Sequence, residues 1–464
     1  MPHQIKKQKM IHYDYIIIGS GQAGTPMAFS LAKSGRVAII EKAQLGGTCV
    51  NNGCIPTKTY IASARKMWDL SHAEDYGIDI QQSGKANMQK IKARKEAIIG
   101  ADRNGIEKGF QDDDNIALYR GEAHFISDYE VVVNGETLTA KNIFINVGSR
   151  PRVPEAYQHT PYFTNENLLQ TTELPEHLVI IGGSFIGVEF AQMFKRFGSR
   201  VTIVERADRL IKVEDEDISE AVADILKSDG IDIILNADDI QTSQKKDGSI
   251  TVNATKDKSV SVTGSHILLA IGRMPNTDTL QLQNTNIKVS ERGFVEVDDY
   301  GRTNVAGIFA MGDCNGKGAF THTSYHDYQV VQSFLSGAKT RKISDRITTY
   351  GLFTDPPLGR VGMTKKEALQ KGYKILLAHR PMTKINRAKA KGETKGFMQA
   401  IIDADTQLFL GACVLGVGGD EIISALTNLM YAKQPYTVLR DAVHIHPTVS
   451  ELLPTALEDL TPLN

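Results

Sequence analysis

An α/β fold is predicted by a pattern that occurs twice in this chain and by the long segment that follows the second copy. The pattern is a strand, a glycine-rich turn, a helix and a second strand that ends in a glutamate. The copies begin near residues 13 and 178 of 464, which leaves enough chain for a third domain. The sequence therefore predicts two Rossmann-like dinucleotide-binding domains and a C-terminal α+β domain.

The first copy has the spacing Gly-x-Gly-x-x-Gly directly after the apolar run that ends at residue 18. Gly19 permits a tight turn, Gly21 the close approach of a pyrophosphate to the helix N-terminus, and Gly24 the packing of helix on strand. Glu41 ends the next strand, where its carboxylate would accept hydrogen bonds from a ribose. We expect a bound dinucleotide; the alternative is a structural turn without a ligand.

The second copy is less regular. Its glycines are Gly182, Gly183 and Gly187. Ser184 takes the place of the middle glycine and adds a side chain where a phosphate would approach, although its hydroxyl could donate to an oxygen. Glu205 would accept from a free ribose 2′-hydroxyl and repel a 2′-phosphate, which favours NADH. The nearby Arg206 and Arg209 leave NADPH possible.

Two of the four cysteines, Cys49 and Cys54, lie five positions apart at the start of a predicted helix. Five residues of regular helix rise ~7.5 Å, whereas bridgeable Cα atoms lie within ~7 Å. The backbone between them must therefore leave the helix, as Asn52 and Gly53 allow. A helix N-terminus lowers a thiol pKa. The pair predicts a redox disulfide; a structural disulfide or two unrelated thiols are the alternatives.

Composition excludes several classes of function. A net charge of -1 predicts no nucleic-acid or membrane partner, and no apolar run reaches the ~20 residues that span a bilayer. Four cysteines in 464 residues are typical of a reducing compartment, so we expect a cytoplasmic protein. Lys6, Lys7 and Lys9 are interpreted as a solvated basic tail, and Cys314 and Cys413 as buried apolar residues.

The motifs resemble those of the class I pyridine nucleotide-disulfide oxidoreductases, a family that includes dihydrolipoamide dehydrogenase, glutathione reductase and mercuric reductase. Residues 144–151 and 269–276 look like the family's paired crossings between domains, and residues 303–313 like its second FAD motif. The resemblance implies three domains: an FAD domain at 1–151 and 276–344, an inserted NAD(P)H domain at 152–275, and a dimerisation domain at 345–464.

The resemblance also implies roles for individual residues. FAD would be held by Gly19, Gly21, Gly24, Glu41, Gly47, Thr48, Gly148 and Asp313. NADH, or NADPH as the alternative, would be held by Gly182, Gly183, Gly187, Glu205 and Gly272. The catalytic residues would be Cys49, Cys54, Lys58, Glu189, His446 and Glu451, with no metal site. Lys58 would lie near flavin N5 and pair with Glu189.

Within the catalytic set, the resemblance makes Cys54 the thiolate beside the flavin and Cys49 the outward, interchange thiol. The string from residue 444 to 451, HIHPTVSE, is similar to the family's His-Pro-Thr-x-Ser-Glu motif, in which the histidine is the acid-base and the glutamate orients it. On spacing alone His446 would be a structural histidine. Because the partner subunit supplies this motif in the family, a homodimer with a shared active site is implied.

The electron acceptor is the least constrained expectation. Several strings look closer to the reactive-chlorine-resistance flavoproteins and hypothiocyanous acid reductases; they are residues 232–237, 320–321, 327–328, 356–364 and 435–441. Arg360 is the most suggestive, since a small residue is expected there in a lipoamide-type enzyme. We therefore expect reduction of a small-molecule oxidant such as hypothiocyanous acid in oxidative-stress defence.

The alternatives are dihydrolipoyl dehydrogenase, Cu(II) or Hg(II) reductase, and a non-enzymatic flavin-binding redox sensor. Hg(II) reduction is less expected, because the chain carries no cysteine pair at its C-terminal end and no cysteine before Cys49.

Overall fold

The computed structural model describes residues 10–81, 84–255 and 259–463, so the predicted basic tail lies outside the described residues. The strands are β1 (Met10–Ile18), β2 (Val37–Glu41), β3 (Ile116–Arg120), β4 (His124–Ser127), β5 (Glu130–Val133), β6 (Glu136–Ile145), β7 (Ser149–Pro151), β8 (His177–Ile181), β9 (Arg200–Val204), β10 (Asp232–Ile234), β11 (Asp238–Gln244), β12 (Ile250–Thr255), β13 (Ser259–Gly264), β14 (His266–Leu269), β15 (Arg273–Pro275), β16 (Ile308–Ala310), β17 (Thr349–Leu352), β18 (Leu358–Gly362), β19 (Ile375–Pro381), β20 (Phe397–Asp403), β21 (Phe409–Leu415) and β22 (Thr461–Leu463).

The helices have the following bounds. They are α1 (Gly24–Leu31), α2 (Gly47–Asn51), α3 (Cys54–Ser71), α4 (Met88–Gln111), α5 (Phe185–Phe197), α6 (Glu216–Ser228), α7 (Thr321–Leu335), α8 (Lys365–Gln370), α9 (Asn386–Ala390), α10 (Gly419–Tyr431), α11 (Tyr436–Arg440) and α12 (Leu452–Ala456). Across the described ranges, none of these helices is long and apolar enough to cross a membrane.

The first sheet carries the first glycine-rich turn. Its strand order is β3-β2-β1-β6-β5-β4, and β16 also pairs with β6. The strands β3, β2, β1, β6 and β16 pair in parallel, whereas β4 and β5 complete an antiparallel edge. The end of β1 is fully buried, as its apolar run predicts. The turn and Glu41 both lie at the carboxyl ends of parallel strands, where doubly wound sheets bind ligands.

The second glycine-rich turn follows β8 in a four-stranded parallel sheet of order β10-β9-β8-β14. A separate three-stranded antiparallel sheet, β11-β12-β13, follows β10 in the chain. The chain enters and leaves this part through the ribbon β7-β15, in which Arg273 lies opposite Pro151 and Pro275 opposite Ser149. The two strings interpreted as paired crossings therefore pair with each other.

The C-terminal part is a six-stranded antiparallel sheet of order β17-β18-β21-β20-β19-β22, and the strands β20 and β21 at its centre are buried throughout. The longest helix of this part, α10, follows β21 and ends at Tyr431. The predicted fold class, α/β with a C-terminal α+β domain, is confirmed. The limits drawn for the three domains stay a prediction.

Candidate active site

A cavity of about 1020 Å³ lies at the carboxyl end of the first sheet. Its wall includes seven of the eight residues predicted to hold FAD: Gly19, Gly21, Glu41, Gly47, Thr48, Gly148 and Asp313. It also includes Cys49, Cys54, Lys58 and Glu189. Cofactor pockets typically span roughly 300–1,000 Å³, so the cavity is large enough for a dinucleotide. Residues from positions 19 to 313 therefore meet around one space.

The glycines of this wall leave the backbone bare where a phosphate would approach. A Cβ on Gly21 would lie 3.2 Å from the Asn146 side chain, and one on Gly47 would lie 2.8 Å from the Gly21 Cα. A Cβ on Gly148 would meet no described atom within 4 Å, so this residue faces open space. A cradle that side chains would fill, followed by a helix N-terminus, fits the pyrophosphate of FAD.

The acid at the end of β2 is tied to the first turn. One Glu41 oxygen accepts from the Ser20 backbone N–H at 2.9 Å and from its hydroxyl at 2.8 Å, while the other accepts from the Ala43 N–H at 2.9 Å. These bonds hold the carboxylate beside the cavity, where a ribose hydroxyl could share it.

The two cysteines lie on two different helices. Cys49 belongs to α2 and Cys54 is the first residue of α3, and the φ and ψ of Gly53 between them, -127° and -112°, are not helical. This is the departure from regular helix that the spacing predicted. Both cysteines are free thiols. The structure therefore has the geometry of the reduced pair.

Cys54 has a hydroxyl neighbour that sequence reasoning missed. The Thr321 Oγ1 lies 3.1 Å from the Cys54 Sγ, and Thr321 is the first residue of α7. Cys54 is thus at the N-terminus of its own helix and next to the N-terminus of another, both of which favour the thiolate. Only the string Phe320-Thr321, noted for its resemblance, pointed to this position.

The pair shares one proton unequally. The hydrogen bond from Cys49, with help from the Thr321 hydroxyl and the Lys58 charge, lowers the pKa of the Cys54 thiol to about 6 although burial opposes this. The same hydrogen bond, together with burial, raises the pKa of Cys49 well above its ordinary value. At neutral pH the reduced centre therefore holds its proton on Cys49 and its negative charge on Cys54.

Lys58 and Glu189 form an ion pair in the wall. The Lys58 Nζ lies 2.8 Å from Glu189 Oε2, and the Glu189 side chain is 7% exposed. The other Glu189 oxygen accepts from the Phe353 N–H at 3.0 Å, and the Phe353 ring lies 4.3 Å from the Lys58 nitrogen. Phe353 precedes β18 in the C-terminal part, and no sequence signal indicated it. Two distant segments thus fix one lysine.

Asp313 is also held by distant residues. The Ser149 hydroxyl donates to Asp313 at 2.6 Å, and Arg273 donates to the Ser149 hydroxyl and carbonyl at 2.8 and 2.6 Å. Ser149 and Arg273 belong to the ribbon β7-β15. The ribbon that joins the two sheets therefore orients the acid predicted to bind the flavin's ribityl chain.

The second glycine-rich turn has the same backbone shape as the first, but its middle residue is more exposed to solvent. A Cβ on Gly187 would lie 1.9 Å from the Gly182 oxygen, so helix and strand pack as the fingerprint requires. Glu205 accepts from the Gly183 N–H and, at 2.7 Å, from the Ala207 N–H. Ser184 is exposed. These residues fit a dinucleotide that enters from solvent.

The remaining coenzyme residue, Gly272, precedes β15, and a Cβ there would meet no described atom within 4 Å. The turn residues Gly182 and Gly183 are not in the wall of the large cavity, but Phe185 and Glu189, on the helix that follows, are. α5 therefore connects the two nucleotide sites.

His446 and Glu451 are paired but lie apart from the thiols of their own chain. The His446 Nδ1 lies 3.0 and 3.1 Å from the two Glu451 oxygens. The His446 side chain is 78% exposed, and neither residue is in the wall of the cavity. The neighbouring Val443 and Ile445 are fully or largely exposed. The structure does not bring the predicted acid-base to the thiols within one subunit.

The other two cysteines, Cys314 and Cys413, are fully buried, as predicted. Among the described residues, no group of three or more His, Cys, Asp or Glu side chains could hold a metal ion.

Comparison with known proteins agrees with this architecture. Residues 13–333 match the family model of the pyridine nucleotide-disulphide oxidoreductases, and residues 348–457 match the dimerisation domain of the same family. The second match supports a homodimer.

Individual relatives cover nearly the whole chain. It is 38% identical to the probable pyridine nucleotide-disulfide oxidoreductase RclA of Escherichia coli K12 over 96% of this chain and 98% of that protein. Identity is 31% to the mercuric reductase of Staphylococcus aureus, over 96% and 82% of the two chains. It is also 31% to the dihydrolipoyl dehydrogenase of Chlamydia muridarum, over 95% of each.

A solved structure is similar throughout. The Cu(II) complex of the HOCl-induced flavoprotein disulfide reductase RclA from Escherichia coli superposes with a TM-score of 0.87 at 37% identity, over 96% of this chain and 99% of that one. The chain therefore belongs to the pyridine nucleotide-disulphide oxidoreductase family, and it is a flavin-dependent oxidoreductase that uses FAD and NAD(P)H.

Proposed function

We propose that this protein uses NADH and a Cys49–Cys54 redox disulfide to reduce a small oxidant, most specifically hypothiocyanous acid, in defence against reactive chlorine stress. The observation that carries the proposal is the pair of free thiols in the cavity wall, with the Thr321 hydroxyl 3.1 Å from the Cys54 sulfur. The similar Escherichia coli protein is named as an HOCl-induced flavoprotein disulfide reductase, which supports this class of oxidant.

FAD, when bound, supplies hydride transfer from NADH and the electrons that open the disulfide. The chain's own residues prepare the two thiols for separate tasks. Cys54 is stabilised as thiolate by Cys49, Thr321 and Lys58. As the outward, interchange thiol of the family pattern, Cys49 is the proposed nucleophile. It holds a proton in the reduced centre and must lose that proton to a base as it attacks.

Cys49 would attack the electrophilic sulfur of hypothiocyanous acid. The S–O bond breaks, hydroxide leaves with a proton as water, and Cys49 becomes a sulfenyl thiocyanate. The Cys54 thiolate then attacks the Cys49 sulfur, the disulfide forms, and thiocyanate leaves. Two electrons pass from the dithiol to the oxidant, and an oxidant of this size needs no mobile arm to reach the site.

The partner subunit's His446 would accept the proton of Cys49 as that sulfur attacks and would deliver it to the leaving hydroxide, which departs as water. Imidazole titrates near neutral pH, and a paired carboxylate fixes its tautomer. The hydrogen-bonded pair of His446 and Glu451 lies at an exposed position beside exposed apolar residues, which supports a role across a dimer interface.

The first test measures steady-state NADH oxidation by the purified flavoprotein with hypothiocyanous acid, lipoamide, Cu(II) and Hg(II). We expect hypothiocyanous acid to be turned over with a kcat/KM of ~10⁶ M⁻¹s⁻¹ or more, and Cys49→Ser to abolish turnover without loss of flavin. Faster reduction of lipoamide would instead identify a dihydrolipoyl dehydrogenase.

The shared site is tested by mixing two inactive variants. Cys49→Ser and His446→Gln homodimers are each expected to be inactive, but a mixed dimer has one site with both native residues if the histidine acts in trans. Recovery of activity after subunit exchange is the expected result. No recovery, with exchange verified by mass spectrometry, would contradict a shared site.

Cu(II) reduction is a second candidate, because the solved relative is a Cu(II) complex. Cu(II) would be a substrate at the same thiols. It becomes the better assignment if Cu(II) exceeds hypothiocyanous acid in kcat/KM in the same series.

A further inference from the structure

A buried ion pair joins the second sheet's part of the chain to the C-terminal sheet. Glu214, just before α6, has a side-chain exposure of 0%, and Arg360, in β18, of 1%. Arg360 donates to both Glu214 oxygens, from Nε at 3.2 Å and from its terminal nitrogen at shorter distance. Because desolvation offsets the attraction of such pairs, a buried pair is weak evidence for stability alone.

The pair has a third partner, Tyr350. Its hydroxyl donates to the Glu214 oxygen Oε1 at 2.8 Å, and on the neighbouring strand its residue lies directly opposite Arg360. Burial, reinforced by the Glu214 charge, raises the pKa of the Tyr350 phenol far above its ordinary value. The phenol therefore stays protonated and keeps donating to Glu214. This hydrogen bond fixes the hydroxyl end of the Tyr350 ring.

The Tyr350 ring meets two rings of the cavity wall. It stacks on Phe320, with centroids 5.8 Å apart and an interplanar angle of 14°, and meets Phe185 edge-on at 5.3 Å and 85°. Phe185 and Phe320 also contact each other edge-on at 5.9 Å. Such arrangements are the favourable geometries for aromatic pairs. Three rings from distant segments thus form one cluster behind the cavity.

Phe320 links this aromatic cluster to the thiols through the backbone. It directly precedes Thr321, whose hydroxyl lies 3.1 Å from the Cys54 sulfur. The Phe320 N–H donates to the Thr323 hydroxyl at 3.1 Å, so the first turn of α7 starts from the place where the Phe320 ring is packed. A shift of that ring would move the Thr321 hydroxyl.

We propose that Tyr350, anchored by Glu214 and Arg360, is a positioning residue that holds the Thr321 hydroxyl against the Cys54 sulfur. The residue acts through Phe320 and touches no reacting atom. This inference rests on the proposed function only in giving Cys54 the thiolate. Charged groups that also face Cys54 are Lys58, Glu189 and Arg273; all three remain in place in the test.

The test titrates Cys54 in the flavin-loaded protein. All variants carry Cys49→Ser, so that Cys54 is the reactive thiol while Cys314 and Cys413 are fully buried. The rate of Cys54 alkylation by iodoacetamide is measured against pH, with thiolate absorbance at 240 nm as a second readout. Thr321→Val removes the hydroxyl directly. Tyr350→Phe removes only the anchor and keeps the ring.

A matched control is Tyr119→Phe. It removes a tyrosine hydroxyl that contacts the Tyr13 hydroxyl at 2.9 Å in the first sheet. We expect Thr321→Val to raise the pH midpoint by about half a unit, roughly threefold in thiolate stability. Tyr350→Phe should raise it in the same direction by less, and Tyr119→Phe should leave it unchanged.

The double variant gives the sharpest outcome. If Tyr350 acts through Thr321, adding Tyr350→Phe to Thr321→Val should move the midpoint no further. Additive shifts would overturn the inference, as would a Tyr350→Phe variant with a lowered melting temperature and an unmoved midpoint, or a Thr321→Val variant with no shift. Since alkylation needs no oxidant, a wrong substrate assignment would leave these results intact.

Discussion

The two glycine-rich turns are nearly identical in backbone and differ in the exposure of their middle residue. Gly19 and Gly182 have φ of 103° and 112°, and a Cβ on Gly24 or Gly187 would lie 2.0 or 1.9 Å from the oxygen of the first glycine. The first turn is covered by the segment that leads into α2, where Gly46 donates to the Ser20 carbonyl at 3.2 Å. The second turn is met in the same way by the segment before α6, where Ile211 donates to the Gly183 carbonyl at 2.9 Å. Its middle residue, Ser184, is exposed, whereas Gly21 is half-buried.

This difference explains how one sequence pattern can serve two kinds of cofactor. A turn whose middle position is half-buried suits a group that stays bound, whereas a turn whose middle position is exposed suits one that enters and leaves at each turnover. The segment that covers the first turn continues into α2, which contains Cys49. The same segment therefore helps to enclose the flavin and places a thiol beside it.

The largest expected effect comes from filling each cradle. Gly21→Val should expel the flavin, because even a Cβ would lie 3.2 Å from Asn146 and the branched side chain would enter the phosphate space. We expect about a hundredfold loss of activity, equivalent to ~3 kcal/mol of binding, and a lowered ratio of absorbance at 450 to 280 nm.

Ser184→Val is the counterpart in the second turn. It should keep the flavin and raise the KM for NADH instead. Equal flavin loss in both variants would show that the two turns do not differ in the way proposed.

A smaller effect is expected at the acids that end the second strand of each unit. Glu205→Gln removes the charge that would repel a 2′-phosphate, so kcat/KM for NADH should fall and that for NADPH should rise, with a combined change in preference of roughly tenfold, ~1.4 kcal/mol. Steady-state kinetics with both coenzymes measure this.

Glu41→Gln is the matched change in the first unit, and it should weaken flavin retention without altering the preference. A wild-type enzyme that prefers NADPH would contradict the role given to Glu205.

The smallest expected effect is the pH dependence of folding stability that arises from the two cysteines beside the first turn. Because the pKa of Cys54 in the reduced protein is lowered to about 6, its thiolate contributes stability that is fully present above the ordinary thiol pKa and is lost as pH falls through 6. Cys49, whose pKa is raised, contributes the opposite dependence above its ordinary value. The stabilisation of the reduced protein should therefore rise between about pH 6 and 9 and be greatest near 9, the ordinary thiol pKa.

Differential scanning calorimetry of the reduced and oxidised protein tests this. The melting temperature of the reduced form should fall relative to the oxidised form by a few degrees between pH 8 and 5, where 1 kcal/mol corresponds to about 2–4 °C. A constant difference would mean that Cys54 is not the thiolate.

Local features of these sites could be predicted because each is encoded by a few consecutive residues. The turn at Gly19 and the helix start at Cys54 both follow from such short signals. The pairing of the two crossing strings was also expected, although from resemblance alone.

Contacts between distant segments could not be predicted in this way. Cys54 and Thr321 are 267 positions apart, and Phe353 reaches Lys58 from the C-terminal part. Neither side chain has a periodicity or spacing that depends on its partner. Arg360 stood out by resemblance, but its partner Glu214 lies in an acidic stretch that would otherwise be interpreted as a solvated helix start.

The pairing of β16 with β6 has a consequence for synthesis of the chain. β6 ends at Ile145 and β16 begins at Ile308, so roughly 160 residues, including the whole second sheet, are made between two neighbouring strands. At ~5–20 residues per second, the ribosome needs roughly 8–30 s for this interval. The inserted part can thus fold first. During this interval β6 still lacks its neighbour β16, so the first sheet is incomplete.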